Sequence, residues 1–62
     1  MRMIILDGIR KGYSTQRDLA AYVAIQRPEL STGAAYVRTT QALQKMRRAG
    51  IVRHEGSAWL PK

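Results

Sequence analysis

Cysteine is absent from this 62-residue sequence. That excludes a disulfide framework, a thiolate zinc site and a cysteine nucleophile. A small chain without disulfides suits a reducing compartment, so a cytoplasmic location is the expectation. Acidic residues are scarce too, four Asp and Glu against eleven Lys and Arg. The four carboxylates, Asp7, Asp18, Glu29 and Glu55, are scattered along the chain. They form no evident acid–base pair, and neither a P-loop nor a dinucleotide fingerprint is present. The lone histidine, His54, has no metal-ligand companions. No enzymatic activity, metal or cofactor is expected. Long apolar runs are also missing. The opening Met1-Arg2-Met3-Ile4-Ile5-Leu6 is cut off by Asp7-Gly8, too soon for a signal peptide. Nothing approaches the roughly 20 apolar residues of a membrane span, so no membrane partner is expected.

What the chain has is positive charge, a formal +7. Such an excess speaks to partners: nucleic acid first, then an anionic membrane or an acidic protein. With 45% hydrophobic and 24% charged residues, the composition is that of a globular chain and not of a disordered basic tail. The length allows one domain, residues 1–62, with no room for a second.

Punctuation divides the sequence into three helices and a hairpin, a mainly α fold with a small β element. The first helix is predicted over about 2–11. Ile5, Leu6 and Ile9 recur at helical spacing, and Arg10 and Lys11 occupy the last turn before Gly12. Met1 and Ile4 widen its apolar face; they either cover the edge of the core or support a homodimer. The second helix is predicted over about 16–26. Thr15 and Asp18 form a capping-box-like start, Leu19, Ala20 and Val23 face inward, and Pro28 ends the helix. Ala20 is small enough to allow a close helix crossing, while Tyr22 and Ile25 exceed the needs of a minimal core.

The third helix is predicted over about 32–49, capped by Ser31 or Thr32 and stopped at Gly50. Its apolar spine is read as Tyr36, Leu43 and Met46, completed by Thr39 or Thr40. Its charged residues are Arg38, Lys45, Arg47 and Arg48, with no acid among them. The remainder, about 51–60, reads as two short strands around Glu55-Gly56-Ser57, with Ile51 and Trp59 leaning on the helices.

This order resembles the winged helix-turn-helix family of DNA-binding domains: three helices plus a two- to three-stranded wing. Thr15-Gln16-Arg17-Asp18-Leu19-Ala20 looks like the family's capped second helix. Leu43-Gln44-Lys45-Met46-Arg47-Arg48-Ala49-Gly50-Ile51-Val52 looks like the end of its recognition helix and the passage into the wing. Arg53 to Leu60 resembles a short wing, and Tyr13-Ser14 falls where such domains place a one- or two-residue strand against it. The connection from Gln26 to Leu30, containing Pro28, is longer than the tight turn of the simplest helix-turn-helix. A stand-alone chain this small is similar to regulators encoded by phages and other mobile elements.

The resemblance implies that the third helix enters the major groove of duplex DNA. Ala34, Arg38, Gln41, Lys45 and Arg48 then form one stripe toward DNA, with Gln44 beside it. Arg pairs bidentately with a guanine edge and Gln with an adenine edge, each worth about 1–3 kcal/mol of discrimination. Ser31 and Thr32 stand where a helix N-terminus favours a phosphate. Arg17 is placed for the neighbouring backbone, Arg53 and His54 for a flanking phosphate or the minor groove. Sequence-specific binding of double-stranded DNA, as a transcriptional regulator or accessory factor, is the resulting expectation. The alternative is a protein-docking module, such as a phage-type inhibitor or adaptor of a larger nucleic-acid enzyme, or an RNA binder. A membrane-surface helix is disfavoured because the basic helix lacks a broad Leu, Trp or Phe face.

Overall fold

Local capping chemistry sets four of the six helix ends in the computed structural model, which describes all 62 residues. The elements are α1 (Arg2–Arg10), α2 (Gln16–Gln26), α3 (Thr32–Arg48), β1 (Val52–Glu55) and β2 (Ala58–Pro61). Both α1 and α3 are one residue shorter than predicted, because Lys11 and Ala49 serve as C-caps. Each is followed by a glycine at positive φ, Gly12 at 100° and Gly50 at 76°. The bonds that close the two ends are the same. Gly12 N–H donates to the Ile9 carbonyl and Tyr13 N–H to that of Gly8; Gly50 donates to Arg47 and Ile51 to Met46. This double bond pattern is the Schellman motif, which needs a left-handed residue beyond the cap and therefore favours glycine.

At the N-termini of α2 and α3, hydroxyl side chains accept backbone N–H groups. Thr15 Oγ1 accepts from Asp18 N–H and Ser31 Oγ from Ala34 N–H, each at 3.1 Å, satisfying one orphan donor per helix. Thr15 also forms an isolated antiparallel bridge with Ala58, and Trp59 N–H donates to the Ser14 carbonyl at 2.6 Å. The chain just before α2 therefore lies along the outer edge of β2. The hairpin itself pairs Val52 with Pro61, Arg53 with Leu60, His54 with Trp59 and Glu55 with Ala58. The hairpin as a whole begins and ends one residue later than predicted, and β2 starts at Ala58 as expected.

The core joins all five elements: Ile5 and Ile9 from α1, Leu19 and Val23 from α2, Ala35, Leu43 and Met46 from α3, and Val52 and Trp59 from the hairpin. Trp59 fills its expected inward place, while Val52 is buried and Ile51 only half-buried. Two readings need correction. Tyr36 is 46% exposed and is not part of the α3 spine. Ala35 and Thr39 complete that spine with Leu43 and Met46, and the Thr39 hydroxyl is satisfied inside the helix by the Ala35 carbonyl at 2.7 Å. Tyr22 is not surplus: its ring is buried and its hydroxyl donates to Asp7 Oδ2.

The close helix crossing falls at Gly8, where a Cβ would come 3.1 Å from Leu19 Cδ2 and from Tyr22 Cδ2. Met1 and Ile4 are half-buried and pack against the core's edge. The largest exposed aliphatic side chains are instead Met3 and Ile25, 71% and 70% exposed. No helix is long and apolar enough to cross a membrane.

Candidate nucleic-acid interface

The register of α3 decides which side chains it presents. Its buried positions are Ala35, Thr39, Leu43 and Met46. At about 100° per residue these span an arc of about 80°, and the side facing directly away holds Val37, Gln41, Gln44 and Arg48. All four are exposed. Arg38 and Lys45 lie about 70–90° to one side of that strip, and Thr40 and Arg47 about as far to the other. The predicted residues Arg38, Gln41, Lys45 and Arg48 thus do share one side of the helix, with Gln44 next to them. Their stripe, however, is centred toward one flank.

The two flanks have different neighbours. Arg38, Gln41 and Lys45 line an open groove of about 530 Å³ with Met1 and Arg2 from the start of α1. On the opposite flank Gln16, the first residue of α2, donates from Nε2 to Thr40 Oγ1. The Thr40 hydroxyl in turn donates to the Tyr36 carbonyl at 2.9 Å. This bond ties the beginning of α2 to the middle of α3, and Arg17 follows it, exposed at the same end of α2. Ser31 and Thr32, at the N-terminus of α3, are both exposed; the Ser31 oxygen is already engaged as a cap.

The hairpin is less free than its composition suggests. Arg53 Nε pairs with Glu55 Oε2 at 2.7 Å. His54 stacks parallel on Trp59, with ring centroids 4.1 Å apart, so its ring covers a core residue while its edge faces solvent. Two further exposed pairs join Lys11 to Asp7 at 3.4 Å and Arg27 to Glu29 at 3.7 Å. These three pairs leave eight of the eleven Lys and Arg without a carboxylate within ion-pair distance. All four cations of α3 are among the eight. Its last turn carries Lys45, Arg47 and Arg48, where cations also complement the helix dipole.

Sequence reasoning missed Val37 and Tyr36 as exposed residues of α3, and Thr40 as the anchor of α2. The small Ala35 and the polar Thr39 were the available signal, since together with Leu43 and Met46 they also fit a helical stripe. No group of three His, Cys, Asp or Glu side chains is arranged to hold a metal ion. No protein-family model, curated protein or solved structure matches the chain.

Proposed function

We propose that this chain is a winged helix-turn-helix module that binds double-stranded DNA through α3 in the major groove, acting as a transcriptional regulator or accessory DNA-binding factor. One observation carries the reading: the whole exposed side of α3 is free of carboxylates, and cations stand on both of its flanks. A helix about 10–12 Å across fits a major groove about 12 Å wide. Two further features support it. The start of α2 is bonded beside α3, a position from which Arg17 reaches a neighbouring phosphate. Ser14 and Thr15 bond to β2, which braces the two-stranded hairpin against the start of α2 as a wing would require.

Affinity arises mainly from phosphate neutralisation and the release of condensed counterions. Contact with about five phosphates gives a slope near −4.5 for log affinity against log salt. Fluorescence anisotropy of a labelled mixed-sequence duplex, titrated at several salt concentrations, tests this. Binding at micromolar concentration or tighter, with a steep salt slope, is the expected result. Absence of binding even at low salt would overturn the reading and leave the basic face for RNA or an acidic protein.

A further inference from the structure

We infer that α3 reads a short run of A·T base pairs, with Val37 against a thymine methyl group and Gln41 and Gln44 on adenine edges. The inference rests on the DNA-binding reading and names the sequence class that reading leaves open. It comes from how charge is distributed around α3. The walls of the major groove are phosphate strands; its floor is made of uncharged base edges. A helix lying in the groove turns its outermost strip to the floor and its flanks to the walls.

The outermost strip of α3 is uncharged from Val37 to Gln44, and charge enters it only at Arg48 in the last turn. The flanks carry the charge: Arg38 and Lys45 on the α1 side, with Arg2 across the groove, and Arg47 and Arg17 on the α2 side. This arrangement assigns the flanking cations to phosphates, Arg38 and Lys45 included, and leaves an amide-and-methyl surface from Val37 to Gln44 for the bases. Guanine is read best by Arg or Lys, which the strip lacks between Val37 and Gln44. Adenine offers N7 and N6 to a glutamine amide, and thymine alone offers a methyl group.

Val37 is 53% exposed on a helix whose buried side is formed by Ala35, Thr39, Leu43 and Met46, so its isopropyl group lies outside the core. Thr40 lies off the strip on the α2 flank, where its hydroxyl accepts from Gln16 and gives its one proton to Tyr36. From Val37 to Gln44 the helix rises about 10 Å, the length of about three base pairs at 3.4 Å each.

The experiment begins with selection of a binding site from a random duplex library by the full chain, followed by anisotropy titrations. An A·T-rich core of about three base pairs is expected. Replacing thymine by uracil in that core should weaken binding about four-fold at one position, the effect of one buried methyl. Val37→Ala, which leaves the buried side intact, should bind the thymine and uracil duplexes equally. Replacing an adenine by 7-deazaadenine should cost at least about five-fold, and Gln44→Ala or Gln41→Ala should erase that cost. A G·C core, or indifference to uracil at every position, overturns this inference while the DNA reading stands. Failure to bind any duplex at low salt overturns both.

Discussion

Tyr22 links three residues that the sequence separates. Its hydroxyl donates to Asp7 Oδ2 and accepts from Lys11 Nζ at 3.1 Å, and its ring lies 5.3 Å from that of Tyr13. The Tyr22 hydroxyl is the main reason the Asp7 carboxyl titrates below its ordinary value; the Lys11 ammonium adds to the effect, and partial burial opposes it. The same hydroxyl, then Asp7, raises Lys11. A carboxyl with a lowered folded-state pKa stabilises the fold above its unfolded value, about 3.9, and that contribution is lost as pH falls through the lowered pKa. A raised lysine acts in reverse: its contribution is present below about 10.4 and lost as pH rises through the raised pKa. Thermal melts from about pH 5 to pH 2 should therefore fall more steeply for the wild type than for Asp7→Asn. Equal slopes would show that Asp7 carries no acid-sensitive stability. Lys11→Met should likewise flatten the alkaline limb above about pH 10.

At the scale of elements, α1 and α3 end where glycine lets them end. Gly50 has φ +76° beyond the cap of α3, a conformation that opposes a side chain. Gly33, in the first turn of the same helix, has nothing within 4 Å of where a Cβ would stand. The same substitution should thus act in opposite directions. Gly50→Ala is expected to cost about 1–2 kcal/mol, and Gly33→Ala to stabilise by about 0.4–1 kcal/mol. Urea denaturation of the two variants checks this; destabilisation by both would mean that Gly33 has a role beyond the helix backbone. These boundaries were legible because caps are local: Thr15, Ser31, Gly12 and Gly50 each act within four residues of chain. The register of α3 was not legible. Ala35 and Thr39 bury without a strong hydropathic signal, so Tyr36 passed for the spine. Nor was the Gln16–Thr40 bond, whose partners lie 24 residues apart. The basic face was visible in composition, but which of its residues form the outer strip followed only from the true register.

For the whole molecule, charge acts on folding and on partners with opposite signs. A net charge of +7 is carried on a body 29 × 20 × 20 Å, and its three ion pairs are all exposed. Exposed pairs of this kind contribute about 0–1 kcal/mol each, and less as salt increases. Repulsion among the eight unpartnered cations opposes the compact state. The screening length is about 30 Å at 0.01 M salt, comparable to the length of the molecule, and about 8 Å at 0.15 M. At low salt every cation therefore feels the others across the fold; at the higher salt only near neighbours interact. Screening removes more repulsion than attraction here. The melting temperature should rise between these two salt concentrations, while the proposed function requires affinity for duplex DNA to fall over the same range. Calorimetry beside the anisotropy titration measures both responses in one buffer series. A melting temperature that falls with salt would mean that the three ion pairs outweigh the net charge, and would require the unpartnered cations to be held apart more effectively than their number implies.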